Sequence, residues 1–380
     1  MVEIFSLIFD FEKGVRMIEE FSFLTDALAD GHGHLRERRE VVKANIKHSI
    51  HGGADSILAI PNFEKGLITV DDVLSYVKMA RQQVPEGYIY NIIPTMMVNE
   101  FTPLDELRKA SDNGIYNVKF MPFERSTNSN FGFKHFWKLM PQIKVCGERK
   151  ISTHTHPEHP SKIFGNRDAE YACVTFAEMA LNESPDVVFF WEHGTDSRCI
   201  PFWTDFAKTG RFFVTLTAHH LDSNEEKSFG DVRRTCKPPI KTERDRTDFC
   251  KLITEGFSWT ISGGDGAPHD ASTKHVDHGR CACGAATSRI LMQLYAHALH
   301  PFLDLSNENG QRLFKKFTSD NPREALGLPP ASRSVRLVKS PFIIPPSYEM
   351  ADLNVMSYGA GENIDWSISN SLKGRKNMTG

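Results

Sequence analysis

"TPLDELRKASDNGIYNVKFMP", residues 102–122, is one helix signal followed by one strand signal. Thr102 stands as the expected N-cap and Pro103 at the first helical position, with acids in the first turn. Gly114 closes the helix. "IYNVKFMP" (115–122) is then a short apolar run with Lys119 inside it. Working outward, the same alternation repeats. Strand-like runs are "SILAIPN" (56–62), "YIYNIIPT" (88–95), "KISTHTH" (150–156) and "VVFFWEH" (187–193). "FFVTLTAHH" (212–220) and "SWTISGGD" (258–265) follow, and the less obvious "FLTDALADGHGH" (23–34) makes eight. Helical spacing falls between them, as in 168–182, where Cys173, Phe176, Ala177, Ala180 and Leu181 share a face, and in 245–256. Strands buried on both faces, each with a helix after it, imply a parallel sheet. Eight such units predict an α/β fold, a closed (β/α)8 TIM barrel, ahead of a doubly wound open sheet. The expected organisation is a single domain over 1–380, with the barrel core at about 23–330 and a C-terminal extension over 331–380.

Bulk composition narrows the function. The net charge of −3 gives no general attraction to nucleic acid or to an anionic membrane. No run approaches the ~18 apolar residues that span a bilayer. The opening "MVEIFSLIFDFEKGVRMIEEF" carries acids within its apolar part and has no basic first segment, unlike a secretory signal. Seven cysteines without a small-scaffold pattern read as reduced thiols, and the expected location is cytoplasmic. Histidine says more: the 16 present fall largely in tight groups.

Barrel enzymes carry their chemistry at the C-terminal strand ends. Here those ends are His32 and His34, Asn62, Thr95, Lys119, His154, His193, the pair His219/His220, and Asp265. In a strand, residues i and i+2 point the same way, so His32 and His34 can grip one ion. An isolated H-x-H is more often a hydrogen-bonded pair in a loop; the other strand ends turn the reading toward a metal. Four histidines and one aspartate exceed what a single catalytic zinc takes. Two ions need a bridging anion, and a buried Lys119 amine can add carbon dioxide to become one, whereas a solvated lysine would be its ordinary reading. Such a centre keeps net positive charge, Arg36 adds more, and an anionic substrate follows. Metal-activated hydroxide is the expected nucleophile.

These residues resemble the dihydroorotases of the amidohydrolase superfamily, in their homodimeric, two-zinc form. The likeness runs in order through "DGHGHLRE", "IPN" (60–62), "VKFMP" with "STNS", "EH" (192–193), "TAHHL" (217–221), "CKPPIKTERD" (236–245) and "GGDGAPH" (263–269). "CACGAA", "NPREALGLP" and "YGAGENIDWS" complete it. The resemblance implies reversible hydrolysis of dihydroorotate to carbamoyl aspartate, a step of pyrimidine biosynthesis. It implies that His32, His34 and Asp265 bind one zinc, that carboxylated Lys119 bridges, and that His154 and His193 bind the second. Asp265 is then also the proton shuttle. Arg36, Asn62 and His269, with backbone near Ala267, would hold the substrate carboxylate. Lys237 would offer backbone groups to the ring amide, and Ser126 and Thr127 would lie on a lid loop. The implied partners are a small anionic substrate and a second copy of the chain.

The sequence departs from the family pattern in places. Glycine occupies positions 31 and 33, where a larger residue is usual. Met121 replaces an aromatic, and strand five reads His154-Thr155-His156 instead of H-G-E, which leaves His156 as an extra imidazole. His220 is expected to hydrogen-bond near the site. "CAC" (281–283) reads as a surface loop with His275 and His278 solvated, and "PFIIPPSY" (341–348) as an extended segment closing over the barrel. The rivals are a related amidohydrolase acting on another anionic cyclic amide or lactone, and a catalytically inactive barrel.

Overall fold

A computed structural model of the chain describes residues 21–369. The apolar opening, up to residue 20, and the stretch 370–380 lie outside the described residues. The expected (β/α)8 barrel is the observed fold. Its strands are Leu28–Gly33, Ala54–Ala59, a third in two pieces (Asn91–Ile93 and Met96–Val98), Asn117–Phe120, Ser152–Thr155, Phe189–Trp191, Phe212–Leu216 and Thr260–Ser262. Neighbours pair in parallel, so that Lys119 lies between Met97 and His154. The ring closes where Gly33 bridges Gly266 and where the Asp265 amide donates to the His32 carbonyl at 2.6 Å.

The third strand is split by Pro94, which has no amide hydrogen to give a ladder. Its first piece pairs with the second strand and its second piece with the fourth. The run at 23–34 is also two elements, not one. Ser22–Asp26 pairs antiparallel with Ser334–Val338, and only Leu28–Gly33 enters the barrel.

Strand alternation sets the packing. Phe189 and Trp191 face outward, against Phe176 and Trp203 of the surrounding helices. Phe190 faces the other way and stacks on His154, with ring centroids 4.2 Å apart. Helix Val174–Glu183 buries Phe176, Ala177, Ala180 and Leu181, the face read from its spacing. Helix Glu243–Thr254 begins two residues before the predicted start, because Thr242 and Asp245 form a capping box. Helix Leu104–Asp112 differs in its cap: Pro103 holds the N-cap position, and the Thr102 hydroxyl accepts from the Asn99 amide instead.

After the seventh strand the chain turns at once. Thr217 caps a short helix, Ala218–Asp222, so His219 and His220 are helix residues and not the strand end expected. The motif "NPREALGLP" ties the barrel together. Arg323 reaches Asp55 at 2.5 Å and also the Ala27 carbonyl. All seven cysteines are free thiols.

Candidate active site

The C-terminal mouth of the barrel holds a narrow cavity. His32, His34, Asn62, Lys119, His193 and Asp265 line it, together with Met121, Ser126, Lys237 and Ala267. Strands from around the ring therefore deliver most of the predicted residues to one place. His156, Cys283 and Gly284 line it too.

Its centre is a meeting of lone pairs. The His34 Nδ1 donates to the Ile60 carbonyl at 2.9 Å, which turns Nε2 toward the centre. That Nε2 faces an Asp265 carboxylate oxygen at 3.0 Å. His32 repeats the pattern: Nδ1 lies 2.6 Å from Glu192, and Nε2 is 3.6 Å from the same Asp265 oxygen. Burial, followed by the charge of Lys119, lowers the His32 pKa to about 4, so its ring is neutral at pH 7. The ligand atoms of His32, His34 and Asp265 lie within 4.8 Å of one another, a spacing that one metal ion can span. Burial works to raise the pKa of Asp265, but the His34 bond and the fields of His32, His34 and His219 hold its carboxylate far below the usual range.

Two further groups point the same way. The Lys119 amine is fully buried and its Nζ has no partner, and burial lowers its pKa to about 8. The Nδ1 of His193 is buried without a partner as well. His193 packs its ring 4.9 Å from that of His32 and 4.6 Å from that of His156. These orphaned donors and acceptors fit a metal centre of histidine, carboxylate and modified lysine.

His154 requires a correction. It does not line the cavity. Its Nδ1 lies 2.5 Å from Glu192 and its Nε2 3.0 Å from Asn117, so neither nitrogen has a lone pair left for an ion. His156 takes the cavity position instead. Its Nε2 is bonded to Glu158 at 2.8 Å, which leaves Nδ1 as the unpaired nitrogen. His154 and His156 share a face of the strand, and only the later one reaches the mouth.

Glu192 was missed by the sequence reading, although it sits in an otherwise apolar run beside His193. It is fully buried and accepts from His32, His154 and the Thr215 hydroxyl at 2.7 Å. Such a carboxylate fixes the tautomer of the imidazole it touches.

The polar wall beside the centre carries positive charge. The Arg36 Nε is anchored on the Pro268 carbonyl at 2.8 Å, while its Nη2 is buried without a partner. Asn62 Oδ1 is likewise unpartnered. His269 does not line the cavity itself; its Nε2 donates to the carbonyl of Cys283, which does, at 2.9 Å. Lys274, another residue sequence reading passed over, is buried with the Thr235 carbonyl as its acceptor at 3.1 Å. Ser126 lines the cavity, and the Thr127 hydroxyl accepts from the Cys283 amide at 3.1 Å. Segment 281–283 is therefore not a plain surface loop: Cys283 is part of the site wall, while His275 and His278 are exposed as expected. His220 hydrogen-bonds Thr217 and the Pro238 carbonyl.

Comparison with known proteins adds the last observation. A dihydroorotase of Shewanella oneidensis is 26% identical over 345 residues, spanning 89% of this chain and 97% of that protein. The chain is a relative of the dihydroorotases. The Saccharomyces cerevisiae dihydroorotase, solved with 5-fluoroorotic acid, superposes with a TM-score of 0.82 at 24% identity, covering 92% of this chain and 98% of that one. The Campylobacter jejuni dihydroorotase gives 0.79 at 21% identity over the same shares. No protein-family model matches the chain. As a dihydroorotase relative, it places its cluster of histidines, aspartate and buried lysine where barrel enzymes work.

Proposed function

We propose that this chain is a metal-dependent dihydroorotase, which opens (S)-dihydroorotate to N-carbamoyl-L-aspartate and closes it again in pyrimidine biosynthesis. The observation that carries the reading is the convergence of the His32, His34 and Asp265 acceptors beside the orphaned Lys119 amine. We assign His32, His34 and Asp265 to one zinc, carboxylated Lys119 to the bridge, and His156 and His193 to the second zinc. His156 replaces His154 in that set. Bound ions there would supply Lewis-acid polarisation of the ring carbonyl and a water activated at neutral pH.

The chain's own groups do the rest. Asp265, held ionised, accepts the proton of the attacking water and returns it to the ring nitrogen as the C–N bond breaks. The free Nη2 of Arg36 and the side chain of Asn62 receive the substrate carboxylate, with His269 and backbone near Ala267. Lys237 offers backbone groups to the ring amide, and Ser126 and Thr127 cover the ring. Glu192 keeps the His32 Nε2 aimed at the centre. A homodimer and a cytoplasmic location follow from the family resemblance; among the described residues no helix is long and apolar enough to cross a membrane.

Purified protein is expected to interconvert dihydroorotate and carbamoyl aspartate. Asp265→Asn is expected to lower kcat by roughly 10²–10⁴-fold, the range for a lost general acid–base group. Near-wild-type kcat in that variant would remove Asp265 from the proton path.

A further inference from the structure

A second cavity, of about 220 Å³, lies away from the barrel mouth, between the C-terminal extension and the helix that begins after Ile290. It is built in two halves. One is apolar, from Ile290, Phe342, Ile344 and Pro345. The other is polar and unsatisfied. Gln293 Oε1, the Tyr348 hydroxyl and the Ser357 hydroxyl are all buried and have no hydrogen-bond partner. Unmade bonds on residues that line a cavity are bonds that a bound ligand can complete.

Arg289 completes the polar half. Its guanidinium lies over the Tyr348 ring, 5.5 Å from the centroid, and pairs with no carboxylate among the described residues. Burial first, and then Arg289, lowers the pKa of both His48 and His51. A half-buried cation without a counter-ion, in a cavity that Tyr348 and Ser357 also line, is a place for an anion.

Size and stoichiometry choose which anion. One unpaired guanidinium matches one negative charge, and its planar fork matches a carboxylate. An apolar cavity of about 150 Å³ holds a benzene ring, so 220 Å³ holds one ring with its carboxylate and no second ring. The Gln293 oxygen accepts, which asks for a donor on that ring. We propose that this cavity is a second ligand site, for a monocyclic carboxylate bearing a ring hydroxyl or N–H. Arg289 takes the carboxylate, and Gln293 and Ser357 take the polar edge.

The test is calorimetric titration of the full chain with 4-hydroxybenzoate, and with neutral 4-hydroxybenzyl alcohol as the control. The expected result is one saturable equivalent with Kd of about 1 mM or tighter, no binding of the alcohol, and at least a tenfold loss in Arg289→Met. Ser357→Ala, which keeps the charge, is expected to weaken binding more mildly. Arg36→Met removes the cation of the barrel mouth and should leave this equivalent unchanged. Absence of saturable binding would overturn the proposal. So would binding that survives in Arg289→Met and disappears in Arg36→Met.

Discussion

His154 and His156 show how much can turn on a single residue. They are two apart, so they share a face, and parity in the sequence assigns them equally to the centre. What separates them is depth. His154 lies level with Lys119 in the sheet and spends both nitrogens on Glu192 and Asn117, whereas His156 lies beyond the strand and keeps Nδ1 unpaired. Their variants should therefore fail differently. His156→Ala is expected to lose one of the two proposed metals and nearly all turnover while still folding. His154→Leu is expected to keep the metal count and to lose roughly 1–3 kcal/mol of stability, because Glu192 and Asn117 are left with unmade bonds. Elemental analysis beside thermal melts separates the two. Metal loss confined to the His154 variant would reverse the assignment.

At the scale of elements, the glycines of the first strand find their reason in the two strands beside it. A β-carbon on Gly31 would sit 2.6 Å from the Ser262 carbonyl oxygen, and one on Gly33 would sit 2.7 Å from Ile57. Gly31 lets the first and eighth strands close, Gly33 lets the first strand lie against the second, and the seam carries His32 and Asp265 on its two sides. Gly31→Ala is expected to cost roughly 1–3 kcal/mol through this overpacking; an unchanged melting temperature would show that the seam has slack. Helix Glu243–Thr254 gives a pH-dependent case. Burial alone would raise the pKa of Asp245, but bonds from Thr242, Arg167 and the Ser197 amide lower it to about 2. Its stabilisation is thus complete above pH 4 and is lost as pH falls through about 2. Asp245→Asn should melt lower than wild type at pH 7, and the gap should shrink below pH 4; a constant gap would assign the loss to the cap geometry alone. The strands and these helices were legible because an apolar period survives in the sequence. Boundaries were less so: Ala27 divides a run that reads as one strand, and Thr217 starts a helix inside a run that reads as strand. Both are decided by partners distant in sequence or by a single cap.

Over the whole molecule, a ring of strand ends converts sequence order into a site. Six of the predicted strand-end positions, His32, His34, Asn62, Lys119, His193 and Asp265, meet at one cavity although they are spread over more than half the chain. That part was readable because a barrel brings every strand end to the same rim. Glu192, Glu158, Lys274 and Cys283 were not, since their importance lies in which buried neighbour each one satisfies. The second cavity was invisible for a similar reason: "PFIIPPSY" meets Arg289 and Gln293 only after the chain has folded back. The central claim, that this rim is a metal-dependent ring-opening centre, is tested most directly by turnover of dihydroorotate before and after chelation. Purified protein is expected to convert dihydroorotate measurably to carbamoyl aspartate, to lose that conversion on removal of metal, and to regain it with added zinc. Conversion undiminished in the metal-free protein, or none in protein holding two zincs per chain, would contradict it.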